Sequence, residues 1–269
     1  MLMVFLQGAT NLHEAMQSAY KAFHSTETAL LRVKNDISSA MDQNHGVLLI
    51  LLDLSAAFDT VDHAKLLKVL QHRIGLHGTA LNWFASYLTN RTQCVEIEHS
   101  SSPTVELQRG VPQGSMLEPV LFTIYTLALG DIARQYNISA HFYADDSQLY
   151  VSFKINDNPH NAVHRMESCV REIRAWMTAN HLKLNDTKTE VIVLSASNAK
   201  LSSPIDTIMI GECAITPADC MRNLGVMFDS HLTMRENINR MCSAAYLQLR
   251  SISSIRDSIS QEATVHLIH

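Results

Sequence analysis

The sequence predicts an α+β fold organised around one β-α-β-β-α-β unit, and three observations predict it. Residues 47–52 form an unbroken apolar run that ends on Asp53, the pattern of a strand covered on both faces. Two strand-like runs, residues 140–144 and 148–153, flank Asp145 and Asp146, and Leu149, Val151 and Phe153 alternate with polar or smaller residues on the second. Between that hairpin and an apolar strand at 190–194, Val163, Met166, Val170, Ile173 and Met177 fall on one helical face. An apolar helix over 119–135 completes the series: strand 47–53, helix 119–135, strands 140–144 and 148–153, helix 159–179, strand 190–194. This is the split βαβ or ferredoxin-like order, an antiparallel sheet with packed helices.

The other elements follow in order. Ser25-Thr-Glu-Thr28 reads as a capped helix start, and Ala29, Leu30, Val33, Ile37 and Met41 carry the helical period to about residue 41, where His45-Gly46 breaks it. Residues 54–114 read as an insertion. It has helices over 64–73 and 79–88, strands 94–97 and 105–107 paired across a Ser/Pro turn, and a Gly/Pro loop at 110–114. Asn158-Pro159 offers a cap with Pro in the first turn of the helix 159–179. Residues 183–188 are a turn-rich link, 208–210 and 224–228 read as short strands, and 235–253 reads as a helix. The opening MLMVFLQG lacks the basic region of a signal peptide and reads as a buried strand or an arbitrary start.

Composition narrows the function classes. The 269 residues suffice for one large domain or two small ones, and the longest apolar run is too short to cross a membrane. Five scattered cysteines without a C-x-x-C argue against a zinc site and for free thiols in a reducing compartment. Fourteen histidines include no H-E-x-x-H pair. A net charge of −5 argues against nucleic acid as a partner. Residues 221–256, however, hold Arg222, Arg235, Arg240, Arg250 and Arg256 against Asp229 and Glu236 alone. That stretch is locally cationic, or else an ordinary solvated helix face.

The predicted topology has a chemical consequence. The first two strands are joined through a helix and run in the same direction, so Asp53 and Asp145-Asp146 reach one sheet edge although 92 residues separate Asp53 from Asp145. An isolated Asp-Asp pair is a good turn. Three acids gathered without basic partners instead repel, and either their pKa values rise or cations neutralise them. Hard divalent ions take such oxygen ligands and share them with phosphates. The pattern therefore points to two-metal nucleotidyl transfer, with surface acids at strand ends as the alternative.

At these residues the chain resembles the reverse transcriptases of non-LTR (LINE-type) retrotransposons. The matching segments are LLDLSAAFDTVDH at 51–63, GVPQGS at 110–115, YADD at 143–146, LKLNDTKTE at 182–190 and NLGVMFD at 223–229, in the family's order. Residues 20–33, with the core His-Ser-Thr-Glu-Thr, are similar to the end of the family's fingers, and the resemblance covers about residues 18–269. It implies a right-hand polymerase palm at 46–230 with inserted finger elements at 54–114 and a primer grip near 223–229. It implies a partial fingers segment at 1–45 and the start of a thumb at 231–269. The activity implied is RNA-directed DNA polymerisation with an RNA template, a DNA primer and dNTP as partners and no membrane.

The family's roles carry over residue by residue. Asp53, Asp145 and Asp146 would be catalytic and hold two Mg²⁺ ions, Mn²⁺ being able to substitute, with the Leu54 carbonyl assisting one. Phe58 would exclude a 2′-hydroxyl; taken alone it reads as a core aromatic. Gln113 and Gly114 would face the nucleotide and template. Lys188 would protonate pyrophosphate, or be a solvated turn lysine. Tyr143, Leu224 and Gly225 would contact the primer and duplex, a core role being the alternative for Tyr143. The family implies an intracellular location, cytoplasm or nucleus, and leaves the oligomeric state open.

Two departures bear on activity. Glu118 stands where the family usually has Gly, and would either crowd the triphosphate or sit harmlessly in a first helical turn, where an acid suits the dipole. Residues 1–17 do not resemble the basic segment that precedes Tyr20 in the family, and the chain stops within the expected thumb. The alternative expectation is thus a truncated, inert remnant that at most binds nucleic acid.

Overall fold

The structure, a computed structural model, describes residues 16–55, 57–112, 114–197 and 201–268. The opening MLMVFLQG lies outside these. The first helix, α1 (Thr26–Asp42), starts with a reciprocal cap. The Ser25 hydroxyl accepts from the Thr28 amide, and the Thr28 hydroxyl accepts from the Ser25 amide. β1 (His45–Leu52) follows directly, and β2 (Leu54–Ser55) resumes after Asp53.

The insertion holds α2 (His63–His72) and α3 (Gly78–Leu88) as expected, but its strands pair differently. β3 (Arg91–Gln93) pairs with β6 (Val105–Leu107), and β4 (Glu96–Ile97) folds onto β5 (Ser100–Ser101). The expected pairing of 94–97 with 105–107 does not form. Nearly every residue of these strands is exposed, so no buried face fixes a register.

The apolar stretch after the Gly/Pro loop is two helices rather than one, α4 (Glu118–Tyr125) and α5 (Ala128–Gln135). The Thr126 hydroxyl donates to the Phe122 carbonyl at 3.0 Å, and the Leu127 amide turns to the Ile124 carbonyl. Such side-chain bonding to the preceding turn bends helices, here within an apolar period that reads as continuous. β7 (Ser139–Tyr143), β8 (Asp146–Lys154), α6 (His160–Ala179), β9 (Lys183–Leu184) and β10 (Glu190–Leu194) complete the central unit.

The main sheet has the order β10-β1-β8-β7, antiparallel throughout, which is the split βαβ arrangement. β1 lies between β10 and β8, with Val47 opposite Leu194 on one side and Ser152 on the other. Both faces are covered. Leu48, Ile50 and Leu52 join Leu149, Val151 and the buried faces of α2 to α6 in one core. Val47, Leu49, Tyr150 and Ile192 pack on Leu30, Val33 and Ile37 of α1 and on Met221 and Phe228. Each such side chain, fully withdrawn from water, contributes about 1.5–3 kcal/mol.

β11 (Ile208–Ile210) and β12 (Cys213–Ile215) form one outlying hairpin, and β13 (Cys220–Asn223) with β14 (Val226–Asp229) a second. Leu224 and Gly225, expected within a strand, are the two-residue turn of that second hairpin, at φ 43° and 91°. α7 (Arg235–Ile255) and α8 (Gln261–Ile268) follow, and α7 buries none of its residues. Among the described residues no helix is long and apolar enough to cross a membrane, and all five cysteines are free thiols.

Candidate active site

Asp53 sits in the one-residue gap between β1 and β2, at the end of the most buried strand. A second segment, 183–188, holds it there. Leu54 pairs with Leu184 across β2 and β9, and the Asn185 amide donates to the Asp53 carbonyl at 2.9 Å. The Asn185 side chain donates to Asp53 Oδ2 at 3.3 Å, and Lys188 Nζ lies 3.4 Å from the same oxygen. Arg174 of α6 anchors this segment through both oxygens of Asp186, one at 3.0 Å.

The other two acids lie on the β7–β8 hairpin. Tyr143 pairs with Asp146, leaving Ala144 and Asp145 as a two-residue turn. Asp146 is therefore the first residue of β8 rather than part of the turn. The antiparallel order sends β1 and β7 in the same direction, which brings this turn to the edge where Asp53 emerges.

The electrostatics bear out that proximity. Partial burial pushes the Asp145 carboxyl up; its own backbone amide opposes this, the Asp53 charge adds to it, and Lys188 opposes it. Partial burial and then the charges of Asp145 and Asp53 push Asp146 up to about 6, again against Lys188. Asp146 still meets solvent at its surface. Asp53 and Asp146 line one open pocket of about 320 Å³ together with Thr187, Lys188, Glu190 and Arg222.

Around this centre stand the remaining residues that the sequence singles out. The half-buried ring of Phe58 packs on Phe122, with centroids 4.7 Å apart, and the Phe58 carbonyl accepts from the Val111 amide at 3.0 Å. The chain just past Asp53 and the Gly/Pro loop are thereby joined. Gly114 is exposed at φ 75° with open space where a Cβ would stand, a conformation that favours glycine. Its amide donates to Glu118 Oε2 at 2.6 Å, so Glu118 stands in the first turn of α4, as one expectation had it, but turns its carboxylate back onto the loop. Gln113 lies outside the described residues.

Tyr20 lies near both the loop and the acids. Burial, then the charges of Asp145, Glu118 and Tyr143, push its phenol up. Tyr143, half-buried, closes β7 one residue before the turn. Leu224 shares a small cavity with Asp146, Gln148, Arg222 and Asn223, which sets the second hairpin beside the acids, with Gly225 at its tip. Beneath that cavity, Asn223 Nδ2 donates to Gln148 Oε1 at 2.8 Å. Both side chains are buried, and Gln148 Nε2 has no partner among the described residues.

The structure therefore brings together Asp53, Asp145, Asp146, Lys188 and Leu224, and sets the loops of Phe58 and Gly114 beside them. Asn185 and Arg222 escaped the sequence reading as site residues. Asn185 falls inside the fourth matching segment, so that segment was its one available signal. Arg222 registered only within a cationic stretch.

Residues 2–228 match the family model described as reverse transcriptase (RNA-dependent DNA polymerase). A probable RNA-directed DNA polymerase from transposon X-element of Drosophila melanogaster is 26% identical over 235 residues, covering 86% of this chain and 24% of that protein. The RNA-directed DNA polymerase from mobile element jockey of Drosophila funebris is 24% identical, covering 84% and 24%. The chain thus spans about a quarter of the length of these relatives. Among solved structures, telomerase from Candida tropicalis in complex with a fragment of telomeric RNA superposes with a TM-score of 0.57 at 10% identity, over 99% of this chain and 48% of that one. At that identity the likeness shows a shared fold alone. With the family model spanning most of its length, this chain belongs to the reverse transcriptase (RNA-dependent DNA polymerase) family.

Proposed function

We propose that this chain carries the nucleotidyl-transfer centre of an RNA-directed DNA polymerase of a LINE-type element, adding dNTPs to a DNA primer on an RNA template. The observation that carries the reading is the convergence of Asp53, Asp145 and Asp146 at one sheet edge, with two of the three raised in pKa by burial first and then by the neighbouring acids. In this reading residues 46–230 are a polymerase palm with inserted finger elements at 54–114 and a primer grip at 223–229. Residues 1–45 belong to the fingers and 231–269 begin the thumb.

The donor set suits Mg²⁺, with Mn²⁺ as a substitute, because all three side chains offer hard oxygens whose mutual repulsion a divalent cation relieves. No three His, Cys, Asp or Glu side chains close into a preformed cage among the described residues. Ions held there would take water and substrate phosphates as their remaining ligands. Bound there, two such ions would neutralise phosphate oxygens and lower the pKa of the primer 3′-hydroxyl.

The chain's own residues do the rest. Asn185 and Lys188 orient the Asp53 carboxylate. The Phe58 ring, fixed against Phe122, would lie under the sugar and leave no room for a 2′-hydroxyl. The ammonium of Lys188, exposed on its stem, would give its proton to the leaving pyrophosphate. Tyr143, Leu224 and Gly225 would support the primer end. The arginines of α7 would track duplex phosphates, which positions nucleic acid without reading its sequence.

The test is primer extension on an RNA template with Mg²⁺, using the full chain and Asp145→Asn as control. Extension that exceeds the control is expected; extension no greater than the control overturns the reading. One observation favours a second reading, a remnant that binds nucleic acid without extending it. The Glu118 carboxylate places a negative charge on the Gly114 amide, at the loop expected to receive a triphosphate. Binding of RNA–DNA duplex that weakens with salt, without extension, would decide for the remnant.

A further inference from the structure

We propose that Gln17 is a positioning residue for Asp145, holding the turn on which that carboxylate is mounted; this deepens the polymerase reading and rests on it. Two-residue hairpin turns need positive φ, and Gly, Asn or Asp usually supply it. Here the residue is Ala144, at φ 57°, where its Cβ carries a steric penalty that glycine escapes. Something outside the hairpin must hold that conformation. The side chain of Gln17 grips both polar groups of this one residue. Its Oε1 accepts from the Ala144 amide at 3.2 Å, and its Nε2 donates to the Ala144 carbonyl at 3.4 Å.

The grip is itself anchored. The same Oε1 accepts from the Ala19 amide at 2.9 Å. Residues 16–18 run along the outer edge of β7, with the Ser18 amide donating to the Phe142 carbonyl at 3.0 Å and the Phe142 amide donating to the Met16 carbonyl at 2.9 Å. Gln17 is only 3% exposed, so water cannot take over the bonds it makes. A segment 127 residues upstream thus sets the backbone of the residue immediately before Asp145. No other side chain bonds to the Ala144 amide or carbonyl among the described residues.

The test uses the full chain and three variants. Gln17→Met keeps length and removes the bonds, Gln17→Asn stops one methylene short, and Gln17→Met with Ala144→Gly removes the need for the clamp. Three readouts are taken: Mn²⁺ affinity by electron paramagnetic resonance, hydrogen exchange at residues 142–146, and the Mg²⁺ dependence of primer extension. Losing bonds to a buried peptide should weaken Mn²⁺ binding about tenfold in Gln17→Met and less in Gln17→Asn, and should speed exchange at the turn. Adding Ala144→Gly should restore much of the affinity, because glycine adopts the turn unaided.

Mn²⁺ affinity in both single variants indistinguishable from the wild type overturns the proposal, as does a loss that Ala144→Gly leaves untouched. If Gln17→Met does not fold, Gln17→Asn is judged by the same criteria. The two readings fail separately. Weaker Mn²⁺ binding in a chain that never extends a primer retains the clamp and removes the polymerase. Extension by a wild type whose metal dependence matches that of the variants does the reverse.

Discussion

Replacing His141 should remove a defined part of the protein's acid sensitivity. His141 lies on β7 with 1% exposure, its Nε2 2.9 Å from the Ser18 hydroxyl and its Nδ1 without a hydrogen-bond partner among the described residues. A second proton would place a donor where nothing accepts it. Burial disfavours that charge most; the charges of Arg32, His24 and Lys21 add to the effect and Asp36 opposes it, and the imidazole is pushed down to about 4. The unfolded chain takes up this proton near pH 6.5, whereas the folded chain refuses it until about pH 4. Between those values the unfolded state binds more protons, so stability rises with pH and is lost as pH falls through the window. The linkage amounts to about 2 kcal/mol at pH 5 relative to pH 8, and about 3 kcal/mol near pH 4. Urea unfolding of the wild type and of His141→Gln at pH 8 and pH 5 isolates the effect, because the other titrating groups are common to both. The wild type should lose about 2 kcal/mol more than the variant over this interval. A difference under about 0.5 kcal/mol would refute the reasoning.

Three further outcomes follow from particular contacts. Gly46→Ala should destabilise by about 1–3 kcal/mol in thermal or urea unfolding, because a Cβ there would lie 2.6 Å from the ring of Phe153, itself packed in the core; an unchanged midpoint would mean the ring yields freely. Asn223→Leu should cost about 1–3 kcal/mol by stranding Gln148, while the double change Gln148→Leu with Asn223→Leu should recover most of it; equal losses in the single and double variants would show that the amide pair is not coupled. Glu118→Gly should lower the KM for dNTP several-fold by releasing the Gly114 amide and withdrawing a charge, and an unchanged KM would separate that loop from the triphosphate.

The parts of the fold that were legible are those whose burial leaves a period. β1 is covered on both faces, and its sequence is an unbroken apolar run. α1 and α6 are covered on one, and their buried residues recur at helical spacing. Where an element buries little, the signal fades: Arg91–Gln93 is fully exposed, and its pairing with Val105–Leu107 could not be read. A different failure occurs at Thr126. There the apolar period runs on through a break made by one hydroxyl bonding to the preceding turn, which composition and spacing do not register.

The acids were legible because topology alone carries them to one edge; the groups that hold them were not. Gln17 grips a backbone 127 residues away, and Asn185 grips Asp53 from 132 residues away. A polar side chain whose partner is a distant main-chain or carboxylate group has no periodicity and no compositional trace, so only the folded chain displays it. The same separation of scales explains why net charge misdirects. The whole chain carries −5, yet Lys188 and Arg222 stand in the pocket lined by Asp53, Asp146 and Glu190. A phosphate approaching within a Debye length, about 8 Å, meets those five side chains rather than the sum over 269 residues. Three acids against two cations leave the pocket slightly negative before any ion enters, and bound divalent cations would turn it positive. The site's affinity for a polyanion would then be set by metal occupancy, which makes the geometry of the Ala144–Asp145 turn a control on substrate binding as well as on chemistry.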